Sequence, residues 1–345
     1  MAENEDVLVT VENGVGLITL NRPKAINSLT HPMVGAISKV LTDWERDDDV
    51  RAVVVSGAGE RGLCAGGDIV AIYYSAQANG SEARQFWYDE YVLNAQIGRF
   101  GKPYVALMDG IVMGGGVGVG AHGSIRVVTE TTKMAMPEVG IGFIPDVGGT
   151  FILSRAPGLL GFHAALTGAQ FDGADAITLG FADHFVLHDS LGDFTDRIVA
   201  DGIDAALAAY AKEPPPSPLL AQRDWIDHCY AADTVADIVA ALRGHDAGPA
   251  NDAANLIASR SPVSVSVALE ALRRAAKLDT LEDVLRQEYR TSVGALRSHD
   301  LVEGIRAQVI DKDRNPKWSP ASLAAVTTAD VEAYFAPADR ELELT

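Results

Sequence analysis

From Val7 to Leu20 the chain reads VLVTVENGVGLITL, two stretches that alternate apolar and polar positions on either side of Asn13-Gly14. Alternation at period two predicts half-buried strands, and Asn-Gly predicts the tight turn of a β-hairpin because both residues tolerate positive φ. The period then changes. THPMVGAISKVLTDWERD carries apolar residues at helical spacing behind Thr30 as N-cap, with Pro32 near the first turn. RAVVVSG follows as a continuous apolar run, the pattern of a buried strand. The order strand, strand, helix recurs: KPYVALMDGIV leads into a glycine-rich turn and a helix, and SIRVVTE with TKMAMPE leads into a helix around Thr150 to Arg155. Recurrence of that unit predicts an α/β fold of stacked ββα turns rather than a simple βαβ sheet.

KEPPPSPL (212–219) cannot continue a helix and predicts a linker. It separates a core of residues 1–215 from a C-terminal region of residues 216–345, where helical periodicity runs almost throughout. SVSVALEALRRAAK is one such helix; TLEDVLRQEYRTSVGALRS is another, opened by Thr280 with Asp283 three residues on.

Composition narrows the function classes. The 345 residues are 48% hydrophobic, enough for a sizeable core, and the net charge of -19 would repel a phosphate backbone over most of the surface. Nucleic acid is therefore not an expected partner, and an anionic small molecule would depend on local cations and backbone amides. The acidic N-terminus lacks a basic region followed by an apolar run, and no stretch approaches the roughly 20 apolar residues of a membrane span, so no membrane partner is expected. Two cysteines, Cys64 and Cys229, make no disulfide framework, which fits a reducing cytoplasm.

Three segments carry candidate chemistry. SGAGERGLCAGGDI (56–69) follows a buried strand. Gly57, Gly59 and Gly62 match a dinucleotide fingerprint, but residues 70–97 look helical and polar where that fingerprint needs a strand ending in an acid. The alternatives are a surface loop or a tight turn at Ala65–Asp68 whose bare N–H approaches a ligand oxygen, Asp68 then capping a helix. DGIVMGGGVGVGAHGS (109–124) is a second glycine turn after a strand. It either packs closely on a neighbouring helix or joins the first turn in offering two N–H donors to one oxygen, the composition of an oxyanion hole. MAMPEVGIGFIPDVGGT (134–150) sets Glu138 and Asp146 among apolar residues. Buried acids are costly unless paired or used, and burial raises their pKa toward the range of a general acid or base. There is no G-x-S-x-G elbow and no H-E-x-x-H; His184 and His188 lack a third ligand, and Cys64 has no histidine beside it, so neither a metal nor a thiol nucleophile is expected.

Together, LNRPKAINSLT (20–30), GLCAGGDI, MGGGVGVG and MPEVGIGFIPDVGGT resemble the enoyl-CoA hydratase/isomerase (crotonase) superfamily in order and spacing. DEYVLN (89–94), Asp146 in PDVGG and HDLVEGIRAQVIDKDRNPKW (299–318) are similar to its branch that hydrolyses the thioester of 3-hydroxyisobutyryl-CoA, with 3-hydroxypropionyl-CoA as a second candidate substrate. The resemblance implies a crotonase-like spiral of ββα turns with a helical C-terminal region, an acyl-CoA substrate, no separate cofactor and a capacity to form homo-oligomers. It implies that the amides of Gly67 and Gly115 hold the thioester oxygen, that Glu90, Gly115, Glu138 and Asp146 line the substrate, and that Arg22, Lys24, Ala25 and Asn27 lie near the CoA nucleotide. Glu138 would attack the thioester carbon itself or act as base on water. Hydratases of the superfamily carry a glutamate at the position of Gly118 and a glycine at that of Asp146, so the resemblance favours hydrolysis over hydration. A hydratase of the same fold and a non-catalytic acyl-CoA-binding protein are the competing expectations.

Overall fold

In a computed structural model, which describes residues 5–344, the opening hairpin is β1 (Val7–Glu12) and β2 (Val15–Leu20). Its turn residues Asn13 and Gly14 both take positive φ, 47° and 78°, as the right-handed twist of a two-residue hairpin demands. The remaining strands are β3 (Ala52–Gly57), β4 (Tyr104–Met108), β5 (Ile111–Met113), β6 (Ile125–Val128), β7 (Lys133–Ala135), β8 (His184–Val186) and β9 (Ala211–Lys212). Two sheets form among the described residues, one of seven strands in the order β1-β2-β3-β4-β6-β8-β9 and one pairing β5 with β7. Within the larger sheet β2, β3, β4, β6 and β8 run parallel, while β1 and β9 close the two edges antiparallel. Parallel strands are covered on both faces, which is why RAVVVSG and PYVALM read as continuous apolar runs; edge strand β1 buries Val7 and leaves its other positions exposed.

The chain divides into two compact units. The first comprises residues 1–67, 92–134 and 171–217 and contains the larger sheet. Its core joins Val54, Val105, Leu107 and Val127 of the strands to Phe194 and Ile198 of the helix Leu191–Asp201. The second comprises residues 68–91, 135–170 and 218–345 and is mainly helical. A boundary thus falls in the Pro-rich stretch, while two earlier segments group with the C-terminal helices. In that unit the helix Pro262–Ala275 is buried along most of its length, and Ser261 caps it by accepting from Ser264 N. Leu281–Ala295 begins at Thr280, which accepts from Asp283 N. Among the described residues no helix is long and apolar enough to cross a membrane.

Candidate active site

In the first unit the two glycine turns are built against each other. The segment Gly62–Cys64 leaves β3 and bonds along Asp109–Met113: Leu63 N donates to Asp109 O at 3.0 Å, Cys64 N to Ile111 O at 3.1 Å and Met113 N to Cys64 O at 3.0 Å. The helix Gly115–Gly120 starts directly behind Gly114, whose φ of 47° and ψ of -119° suit only glycine. At Gly116 a Cβ would stand 2.4 Å from Cys64 O, so the second turn lies on the first only because that side chain is missing. A Cβ on Gly66 would lie 3.7 Å from Gly115 N, which places the two backbones side by side. Neither Gly67 nor Gly115 donates its N–H to an acceptor among the described residues. Both N–H groups are thus left without a partner among the described residues, the condition that an oxyanion site requires.

The dinucleotide fingerprint fails here on structural grounds. After Gly62 the chain bridges to Gly110 and Val112, and the next helix starts only at Ile69, capped by Asp68 accepting from Ala71 N. Cys64 is buried, and its Sγ accepts from Gly66 N at 3.4 Å, holding the turn from inside.

The segment Arg22–Asn27 follows β2. Asn27 is fully buried, accepts from Arg22 N at 2.9 Å and donates to Ala58 O and Gly62 O at 3.0 and 3.1 Å. Its side chain ties this loop to the first glycine turn. Arg22 reaches Ser28 O at 2.6 Å, whereas Lys24 and Ala25 are exposed.

The acids gather in the second unit. Glu138 opens a short 3-10 turn, Glu138–Ile141, that ends at Gly142 with φ 74°; a Cβ there would stand 1.9 Å from Asp300 O, so the turn is seated on the C-terminal helices. Asp146 lies eight residues on in a turn closed by Gly149 N donating to Asp146 O at 2.7 Å. Val147, wholly buried, has φ 53°, a left-handed conformation that costs a β-branched residue about 1–3 kcal/mol. Glu90 comes from the helix Ser81–Gly98, inside the DEYVLN motif. Glu90, Glu138 and Asp146 are only 2, 5 and 5% exposed. Among the described residues no hydrogen-bonding group meets Glu90 Oε1 or Glu138 Oε2.

Burial is the main reason that all three acids hold their protons more tightly than usual. The Asp146 charge adds to the rise at Glu138 and Glu90, and Glu288 adds a further like charge at Glu138. Asp146 itself is pushed up to about 7 by burial, opposed by a hydrogen bond from Tyr91. A carboxyl poised near neutral pH, as Asp146 is, is suited to take up and return a proton at a reacting centre.

Three residues that sequence reasoning did not single out complete this cluster. Tyr91 Oη donates to Asp146 Oδ2 at 2.6 Å and shares a hydrogen bond with Ser292 Oγ at 2.7 Å. Glu288 accepts from Gly148 N at 2.6 Å, Thr150 N at 3.0 Å and Thr150 Oγ1 at 2.5 Å. A signal for the last was present: in the helix Leu281–Ala295, Glu288 falls on the stripe of Val284, Leu285, Tyr289 and Ser292, an acid on a buried face.

The chain matches the Enoyl-CoA hydratase/isomerase family over residues 15–335. It is 40% identical to the mitochondrial 3-hydroxyisobutyryl-CoA hydrolase of Danio rerio, covering 98% of this chain and 92% of that protein. The Homo sapiens protein of the same name is 40% identical, covering 96% and 88%. Among solved structures, one titled a carnitinyl-CoA dehydratase from Mycobacterium thermoresistibile is 71% identical, covers 99% of both chains and superposes with a TM-score of 0.96. One titled an enoyl-CoA hydratase from Rhodobacter sphaeroides is 39% identical, covers 98% of this chain and 100% of that one, and has a TM-score of 0.93.

Proposed function

The chain belongs to the enoyl-CoA hydratase/isomerase family, and from that premise we propose that it is an acyl-CoA thioester hydrolase that converts 3-hydroxyisobutyryl-CoA to free CoA and the hydroxy acid. The observation that carries this choice within the family is the placing of acids. Gly118 lies inside a helix of glycine and valine only, Gly115–Gly120, so this turn brings no acid, while Asp146 joins Glu138 in the second unit. Adding or removing water across a double bond calls for an acid and a base on that bond; cleaving a thioester calls for an oxyanion site and one activated water.

On this reading the amides of Gly67 and Gly115 take the thioester oxygen, each such donor typically being worth about 3–4 kcal/mol of barrier. Glu138 removes a proton from water as the water oxygen bonds to the carbonyl carbon. The tetrahedral oxyanion collapses with cleavage of the C–S bond, and the proton held by Glu138 passes to the departing sulfur. Asp146, held by Tyr91, orients the water and keeps the Glu138 pKa high by its like charge. Glu90 binds the 3-hydroxyl of the acyl group with its unpartnered Oε1. Arg22, Lys24, Ala25 and Asn27 lie near the CoA nucleotide. Coenzyme A enters with the substrate and no separate cofactor takes part. Cytoplasmic residence belongs to this proposal, whereas the Danio rerio and Homo sapiens relatives carry mitochondrial names.

The deciding experiment compares CoA release from 3-hydroxyisobutyryl-, 3-hydroxypropionyl- and crotonyl-CoA with the loss of enoyl absorbance from crotonyl-CoA. Thiol release from the hydroxyacyl substrates should dominate. The two solved structures titled as hydratase or dehydratase make hydration the second reading, and faster hydration of crotonyl-CoA than hydrolysis of any thioester would establish it.

A further inference from the structure

The turn that carries Asp146 is held open at an unfavourable place in the backbone. Val147 and Gly148 follow one another with φ 53° and 78°, and Val147 is fully buried. Relaxing Val147 toward negative φ would turn the preceding peptide and with it the Asp146 carboxylate. A group from outside the turn opposes this. The Glu288 carboxylate, 1% exposed, receives Gly148 N on Oε2 and both Thr150 N and Thr150 Oγ1 on Oε1. Three donors and no acceptor converge on it; these bonds favour the ionised form, against burial, which favours the acid.

We propose that Glu288 is a positioning residue of the hydrolysis: by clamping the Gly148 and Thr150 amides it maintains the strained Asp146–Thr150 turn and thereby the aim of Asp146. It touches neither water nor substrate on this proposal, which rests on the thioester-hydrolase reading given above. A second effect follows from its charge. Like-charge repulsion from Glu288 adds to the rise at Glu138, and Asp146, which also acts on Glu90 and the Tyr91 hydroxyl, adds to the rise at Glu288.

The test is Glu288→Gln in the full-length protein. Glutamine keeps the shape but offers one acceptor and a donating amide, so at least one of the three donors meets another donor. The kcat for CoA release should fall about tenfold or more with KM within about threefold, the acidic limb of the pH profile should move, and hydrogen exchange at the Gly148 and Thr150 amides should quicken about tenfold. Thr150→Val removes only the hydroxyl donor and should lower kcat by about threefold to tenfold, while Thr150→Ser should restore it. These two variants keep the test decisive if Glu288→Gln does not fold. Folded variants with an unmoved kcat per molecule, an unmoved pH profile and unchanged exchange overturn the proposal; a lower melting temperature with unchanged kcat shows a purely structural role and overturns it too. Should the wild-type protein release no CoA from any thioester, the hydrolase reading fails and the role in hydrolysis fails with it, whereas the exchange rates of Gly148 and Thr150 would still report separately whether the clamp exists.

Discussion

Replacing Tyr91 by Phe removes one oxygen and tests whether the ionisation of Asp146 governs the reaction. The Tyr91 Oη to Asp146 Oδ2 distance of 2.6 Å is in the range of a charge-assisted O–H···O⁻ bond. Such bonds to charged groups contribute about 1.5–3 kcal/mol, and this one favours the carboxylate over the acid. At about 1.4 kcal/mol per pH step, its loss should move the Asp146 pKa from about 7 to about 8–9. The ionised fraction at pH 7 then drops from about one half to between about a tenth and a hundredth, and kcat/KM should fall by roughly 5-fold to 50-fold, recovering as the pH approaches 9–10. The assay follows released CoA with a thiol reagent from pH 5 to 10, for wild type and variant, with circular dichroism to confirm the fold. The carboxyls titrate as a group, so the quantity compared is the apparent pKa of the acidic limb. Ser292 Oγ, 2.7 Å from Tyr91 Oη, is a neighbour that can replace the lost donor, and Ser292→Ala added to Tyr91→Phe should deepen the effect. If the variant is folded and its acidic limb lies on that of the wild type, Asp146 ionisation does not limit the reaction.

Glu138→Gln and Asp146→Gly should each lower CoA release by at least about a hundredfold, measured on 3-hydroxyisobutyryl-CoA, with the fold retained. Gly116→Ala should displace the two glycine turns, because its methyl would stand 2.4 Å from Cys64 O; loss of one amide donor predicts a kcat about 10²–10³ lower, together with a lower melting temperature. Stability should fall as pH rises from about 4 to 8. Burial raises Asp146 from 3.8 to about 7 and Glu288 from 4.5 to about 8, so over that window the unfolded chain holds fewer protons than the folded one and deprotonation favours unfolding. The Asp146 contribution is at most about 4 kcal/mol, fully present below pH 4 and lost as pH passes 7, and urea denaturation at pH 5 and pH 8 would detect it. A flat or rising stability across that interval contradicts the placement of these acids.

Much of the fold was legible because its determinants are local. Asn13-Gly14 marks a hairpin by its backbone preference, Thr30 and Thr280 announce helices by capping, and the apolar runs of β3 and β4 declare strands covered on both faces. Glu138 and Asp146 stood out by chemistry, as acids in an apolar stretch. Tyr91, Glu288 and Ser292 did not, because their meaning lies in partners 55, 140 and 201 residues away in the chain. Periodicity places Glu288 on a buried stripe, yet it cannot say which amides wait there. The grouping of residues 68–91 and 135–170 with the C-terminal helices is equally long-range, and the Pro-rich stretch marks only one of its boundaries. The inward role of Asn27 was equally hidden, because its three hydrogen bonds reach Arg22, Ala58 and Gly62, and two of these lie more than thirty residues away.

The clamp between Gly148 and Glu288 also sets a schedule for synthesis. Its two halves are separated by 140 residues, which a ribosome adding about 5–20 residues per second needs about 7–30 s to produce. For that interval Asp146 has left the tunnel without the acid and the hydroxyl that will hold its turn and its tyrosine. A message cut short before Glu288 encodes every strand and both glycine turns, yet lacks the carboxylate that holds the Asp146 turn.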